Sequence, residues 1–253
     1  RIRDEAEDAV RQGRAHLVLS DADVGPERAP VPMILAAGGV HSHLVREGLR
    51  TFTSLHVRSG ECLDVHTFAV LIGVGATTVN PYLAEQTIAD RCARGLLAEL
   101  SADESGARYR AAVDQGLLKI ISKMGISVIS SYRGGRNFEA VGLSRSLVAE
   151  FFPGTVSRVS GIGLPGIERK VLGLHEQAFA AEPNVLPIGG LYRYRASGEV
   201  HAIEGTLIHM LQAAVANDSF GQYQRYTQSL GQLPPVNLRD LFEFEPRSSP
   251  MPL

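Results

Sequence analysis

Phe52-Thr53-Ser54-Leu55-His56-Val57, then Asp64-Val65-His66-Thr67-Phe68-Ala69-Val70-Leu71-Ile72-Gly73, then Ala76-Thr77-Thr78-Val79-Asn80 decide the fold. The first and third segments have strand length and strand composition, and Pro81 closes the third. Between them, Asp64 is placed to cap a helix over Val65 to Gly73. Strands separated by helix-length segments imply parallel pairing, with each helix laid back on the sheet. The same pattern runs upstream. Ala6, Ala9 and Val10 share a helical face that Gly13 can end, and His16-Leu17-Val18-Leu19-Ser20 reads as a buried strand followed by Asp21. Pro30 opens a helix whose apolar face holds Met33, Ile34, Ala37, Val40, Leu44 and Val45, and Gly48 ends it. The class is α/β with parallel β/α units, as a partial barrel or an open sheet.

Downstream the composition changes. Glu85 to Leu100 reads as a polar amphipathic helix and Ser101 to Gly106 as a loop or helix cap. A domain boundary is expected near residue 100, giving parts 1–100 and 101–253. The second part predicts helices over Tyr109–Met124, over Phe138–Phe152 with a break near Gly142-Leu143-Ser144, over Ile167–Phe179 and over Thr206–Ala216. A further helix is capped by Ser219. Short strands are expected at Ile126–Ser130 and on either side of the Ala196-Ser197-Gly198 turn, at Leu191–Tyr194 and Glu199–His201. The Pro- and Ser-rich tail carries no terminating element.

Bulk properties exclude several function classes. At 253 residues and 44% hydrophobic, the chain can bury a sizeable core. A formal charge of −2 gives no electrostatic case for nucleic acid or for an anionic membrane surface. The longest apolar run, Phe68 to Val79, is too short to span a bilayer. Two cysteines, Cys62 and Cys92, make no disulfide framework and fit a reducing cytoplasm. The chain opens on Arg1 inside a helical pattern, without an initiator Met or a signal peptide, so a piece of something longer is expected.

Few motifs carry chemistry. Gly161-Ile162-Gly163-Leu164-Pro165-Gly166 matches the G-x-G-x-x-G pattern that sets amides and a helix N-terminus against a pyrophosphate. The strand before it is short and polar, Pro165 sits where the helix should be running, and no second strand ends in an acid about twenty residues on. A Gly-rich loop feeding a helix is the better reading. Ser130-Ser131-Tyr132-Arg133-Gly134-Gly135-Arg136-Asn137 joins hydroxyls, two glycines and two arginines ahead of a helix. Free amides and guanidinium groups there suit an anion, against the plainer reading of a tight turn with solvated arginines. Ser59-Gly60-Glu61 and Gly73-Val74-Gly75-Ala76 resemble the last quarter of a flavin-type barrel, but Glu61 would repel a phosphate, so a unit keeping the shape without the ligand is expected. His41 and His43, two apart on a helix, point in different directions. Cys62, His66 and His56 make a poor zinc set, His16, His175, His201 and His209 show no partners, and neither a triad nor iron–sulfur cysteine spacing is present.

Longer strings carry a resemblance. Arg46-Glu47-Gly48-Leu49-Arg50-Thr51, Phe68 to Ala76, and Val79-Asn80-Pro81-Tyr82-Leu83-Ala84 come first. Gly116 to Ser127 continues through Ser131-Tyr132 to Asn137-Phe138-Glu139-Ala140-Val141-Gly142-Leu143. Ser157-Arg158, Gly161-Ile162-Gly163-Leu164, Tyr192-Arg193-Tyr194 and Glu199-Val200-His201-Ala202 complete the series. In this order, over nearly the whole chain, the strings resemble the large subunit of the glutamate synthase family, from the end of its central domain into the start of its FMN-binding domain.

The resemblance implies an enzyme making L-glutamate from L-glutamine and 2-oxoglutarate. Ammonia released in an amidotransferase domain travels through a tunnel to a (β/α)8 barrel, where reduced FMN delivers hydride to the imine. A 3Fe-4S cluster relays electrons from an NADPH-dependent small subunit or from ferredoxin. The amidotransferase nucleophile, the cluster cysteines and the main flavin motifs of the family are not in this sequence, so no catalytic residue and no metal ligand carries over. Where the family has Cys-Gly-Ala-Gln-Ile, this chain has Arg133-Gly134-Gly135-Arg136-Asn137. Ser131, Gly134 and Gly135 are the flavin- or anion-proximal candidates. The segment is then scaffold and tunnel wall, partnered by the remaining domains of its subunit, with its second half only marginally folded alone. A small FMN- or phosphate-binding protein and a non-catalytic interaction module are the alternatives.

Overall fold

A computed structural model gives the structure of the chain and describes residues 1–97, 100–180, 186–191, 193–243 and 245. Contacts divide it into two compact units, Arg1–Glu182 and Pro183–Leu253.

The first unit opens with α1 (Ile2–Arg11), which buries Ala6 and Val10 and ends before Gly13 at φ 85°. β1 (His16–Ser20), α2 (Met33–Arg46), β2 (Ser54–Arg58), α3 (Val65–Gly73) and β3 (Thr78–Asn80) follow. The strands pair in parallel in the order β1-β2-β3, with Leu17 opposite Leu55 and Val57 opposite Val79. Asp64 caps α3, its carboxylate accepting the Thr67 amide at 2.9 Å. Strand residues alternate between faces, so Leu17, Leu55 and Val57 point to one side. There they form the core with Met33, Ala37, Val40 and Leu44 of α2 and Phe68 and Leu71 of α3. The opposite face carries His16, Val18, His56 and Thr78 and is open to solvent or half-open. His16 and His56 meet across it at 3.0 Å, and His56 meets the Thr78 hydroxyl at 2.7 Å.

Two helices come next, α4 (Tyr82–Ala93) and α5 (Ala102–Lys123). The Ser101 hydroxyl caps α5 by accepting from the Glu104 amide. The predicted helix Glu85–Leu100 thus starts three residues early and stops at Ala93, while residues 98–99 lie outside the described set. α5 lies on α3 so closely that a Cβ at Gly116 would stand 2.7 Å from Val65, and its Val113 joins the first core.

Two expectations fail in the next stretch. Ile126–Ser130 is not a strand; α6 (Ile129–Tyr132) is a short helical turn. A five-residue run with three apolar residues does not distinguish strand from helix by period alone, and among the described residues no neighbouring strand pairs with it. Phe138–Phe152 is not one helix. It divides into β4 (Glu139–Leu143) and α7 (Arg145–Phe151), with Ser144 capping α7. Gly142 at φ 76° has no place in a right-handed helix, and the expected break is the strand-to-helix junction. β5 (Val156–Ile162) pairs with β4 in parallel, and α8 (Leu164–Ala178) follows.

The second unit holds α9 (Gly205–Ala216) and α10 (Phe220–Leu230), the latter capped by the Ser219 hydroxyl. The expected turn exists, with the Gly198 amide donating to the Arg195 carbonyl at 3.0 Å and Ser197 at φ 60°. The strands expected beside it do not: Leu191 and Arg193 to His201 are irregular, and Tyr192 lies outside the described residues. Gly189 and Gly190, both with positive φ, turn the chain before it can extend. Among the described residues, no helix is long and apolar enough to cross a membrane.

Candidate functional site

In open parallel sheets, ligands bind beyond the carboxyl ends of the strands. Here that edge is occupied by the chain's own acids. Asp21, one residue past β1, accepts the Ser59 hydroxyl at 2.5 Å and the Gly60 amide at 3.0 Å. Glu61 accepts the Met33 amide at 2.9 Å, so its carboxylate stands at the N-terminus of α2. Burial raises the Glu61 carboxyl above its ordinary pKa, and the Met33 amide partly offsets that. The donors that would cradle a phosphate therefore already hold carboxylates.

The donor sets for the implied cofactors do not fit either. The Cys62 thiol is buried, and burial with Asp21 and Glu61 nearby pushes it up to about 11. Cys92 sits 3.4 Å from the Ser105 hydroxyl. Two separate cysteines, one held as a thiol, are not the thiolate set of an iron–sulfur cluster. The G-x-G-x-x-G glycines serve packing. A Cβ at Gly161 would stand 2.1 Å from the Gly142 carbonyl oxygen across β4–β5, and one at Gly166 would meet Ile162 at 2.7 Å. The strand and helix that the motif needs are both present, as β5 and α8, yet Gly161 is required by its neighbouring strand.

The histidines find partners the sequence did not show. His16 meets His56, His175 Nε2 donates to the Gly25 carbonyl at 2.8 Å, and His201 Nε2 donates to that of Gly190 at 2.6 Å. His41 and His43 diverge as expected from α2. His43 meets Glu7 at 2.7 Å, and Glu7, His43 and Glu47 bring ligand atoms within 4.8 Å of one another. Arg11 bridges both glutamates, so one of their two charges is already matched.

His41 faces the other way, into a cavity of about 290 Å³ between α2, the loop after α6 and the turn after α7. Arg50 donates from Nε to His41 Nδ1 at 3.1 Å and from its Nη atoms to the carbonyls of Thr53 and Gly75. Burial first, then Arg50 and Arg133, lower the His41 pKa to about 4. Gly134, at φ 72°, comes so near that a Cβ there would stand 3.2 Å from His41 Nε2. Arg136 lies over Gly154, where a Cβ would stand 2.5 Å from its guanidinium. Of the candidates, Gly134 lines this cavity. Gly135 packs against the Tyr132 carbonyl and Asn137, and Ser131 is exposed on α6. Sequence reasoning missed His41, Arg46 and Arg50 because their meeting with the Gly134 loop is made by tertiary packing. The adjacent glycines with flanking arginines were the one local signal.

The family model for the glutamate synthase central domain matches residues 1–144. A glutamate synthase [NADPH] large chain from Azospirillum brasilense is 58% identical over all 253 residues, which cover 17% of that protein. The corresponding large chain of Bacillus subtilis (strain 168) is 38% identical over 98% of this chain and 16% of its own length. A ferredoxin-dependent glutamate synthase, chloroplastic, from Spinacia oleracea is 37% identical over 99% of this chain and 16% of its own length. The chain thus spans about a sixth of the length of the curated relatives it matches.

Proposed function

This chain belongs to the glutamate synthase central-domain family, and from that premise we propose that it is an internal segment of a glutamate synthase large subunit, an oxidoreductase that makes L-glutamate from L-glutamine and 2-oxoglutarate. The observation that carries the reading is the 58% identity to the Azospirillum brasilense protein without interruption of coverage. In this reading the chain runs out of the central domain, whose family model matches residues 1–144, into the start of a (β/α)8 FMN-binding domain. The parallel pair β4–β5 favours that assignment, because Val141, Val156 and Val159 are 67%, 48% and 56% exposed on a sheet too small to stand alone. The open face of β1-β2-β3 favours further packing partners in the same subunit for the same reason.

The segment acts as scaffold and tunnel wall. The reading gives its residues no chemical step, and the Asp21 and Glu61 contacts already occupy the Gly60 and Met33 amides at the carboxyl edge of β1-β2-β3. FMN and the 3Fe-4S cluster are held elsewhere in the parent, with Ser131, Gly134 and Gly135 the nearest approach of this chain to a flavin or anion. Electrons come from an NADPH-dependent small subunit or from ferredoxin, in the cytoplasm.

The test is a segment exchange. This chain replaces the matching stretch of the Azospirillum brasilense large chain, and glutamine- and 2-oxoglutarate-dependent NADPH oxidation is measured. Activity within about tenfold of the parent is expected, a loss of no more than about 1.4 kcal/mol of transition-state stabilisation. A soluble, flavin-loaded chimera that forms no glutamate would sink the reading.

A further inference from the structure

Most arginines that take part in polar contacts in the first unit have a carboxylate partner, as Arg3 has Glu150, Arg28 has Asp23 and Arg108 has Glu104. Around His41 the pattern breaks. Arg46 and Arg136 line the cavity, Arg133 acts on His41 electrostatically, and Arg50 bonds to His41 and two carbonyls. Among the described residues, none of these four is paired with Asp or Glu. Arg50 and Arg133 repel one another, the exposed Arg46 and Arg136 add charge of the same sign at the cavity wall, and an anion entering there lowers that cost.

The imidazole adds a directed donor. Because Nδ1 accepts from Arg50, the proton of neutral His41 resides on Nε2. That N–H has no acceptor among the described residues and faces the space before Gly134. A side chain at Gly134 would narrow this space, and the positive φ there favours glycine. Arg136 itself takes φ 58°, an unusual conformation for a side-chain-bearing residue, and lies on the bare backbone of Gly154. The remaining wall combines apolar Phe151, Phe152 and Val45 with the hydroxyl-bearing Ser42 and Thr155.

We propose that this cavity binds a small organic oxyanion, its phosphate or carboxylate head against Arg46, Arg136 and the His41 Nε2–H, and its apolar part against Phe151 and Phe152. Guanidinium groups bind both heads through charge-assisted, often bidentate hydrogen bonds. A volume of about 290 Å³ restricts the ligand to the small end of the usual range. The proposal does not rest on the glutamate synthase reading and stands or falls separately from it.

The experiment titrates the purified 253-residue chain at low salt with phenyl phosphate, phenylacetate and inorganic phosphate. Heat is followed by calorimetry and the His41 ring by NMR. One site with a Kd of about 1 mM or tighter is expected for an aromatic probe. Whichever aromatic probe binds more tightly identifies the head as phosphate or carboxylate. Arg46→Gln and Arg136→Gln should each weaken binding about tenfold or more, whereas Lys119→Gln, exposed on α5, should leave it unchanged. Bound anion should raise the His41 pKa from about 4. Either arginine variant suffices if the other fails to fold, which melting curves will show. Absence of binding by every probe at about 10 mM overturns the proposal. So does binding that neither arginine variant weakens, or inorganic phosphate binding as tightly as both aromatic probes.

Discussion

Arg50 donates its Nε–H to His41 Nδ1 at 3.1 Å, and this bond sets a half-buried imidazole against a permanent cation. Protonating His41 would break the bond and place two positive charges in contact. Burial first and the two arginines second therefore hold its pKa near 4, against an ordinary value of 6.5. The unfolded chain binds the proton more readily between those values. Stability should thus fall as pH drops from about 6.5 toward 4, and this group should add no further slope below that. Urea melts of the parent and of His41→Asn across this range test the sign. The variant should show a shallower loss, and identical slopes would refute the assignment.

Asp21 predicts a second effect. Its carboxylate is the acceptor for the Ser59 hydroxyl and the Gly60 amide, and Ser59 is fully buried. Asp21→Ala leaves both donors without that acceptor and should cost about 2–4 kcal/mol by urea denaturation. Asp21→Asn keeps one oxygen in place and should cost less. Equal losses would mean that packing rather than hydrogen bonding sets the penalty.

Much of this architecture is legible in the residues, and the failures have physical causes. β1 through β3 and their helices announce themselves because period, caps and breakers agree: Asp64 before Val65–Gly73, Gly13 after α1, Pro81 after β3. Ile126–Ser130 and Phe138–Phe152 mislead because short apolar runs take their form from neighbours, and β4 exists only where β5 lies beside it. The site divides in the same way. Gly134 was visible as one of two adjacent glycines between arginines, whereas His41, Arg46 and Arg50 reach it through α2 packing on α7, where a Cβ at Gly38 would stand 2.3 Å from Phe152.

Two glycines give opposite predictions for the same substitution. At Gly161 a methyl group would press on the Gly142 backbone at 2.1 Å, so Gly161→Ala must part β4 from β5 and should cost about 2–4 kcal/mol. At Gly173, within α8, nothing lies within 4 Å, and Gly173→Ala should stabilise the helix by about 0.5–1 kcal/mol. Chemical denaturation of both variants decides the matter. A tolerated Gly161→Ala would show that β4–β5 is not closely paired in solution.

The last prediction concerns uneven stability. The first unit has a contiguous core, with Ala37, Val40, Leu44, Leu55 and Leu71 fully buried. In the second unit only Leu207 and Ala214 are buried among the described apolar residues, while Val215 and Phe220 are 73% and 70% exposed. Local opening costs little where little apolar area is removed from water. Hydrogen exchange should therefore be fast throughout α9 and α10 and slow, by about two orders of magnitude or more, in α2, β2 and α3. The two units should also melt separately, since a pair of helices with two buried side chains has no large core through which to share cooperativity. Uniform protection, with one sharp transition for the whole chain, would show that α9 and α10 are held by contacts beyond their own.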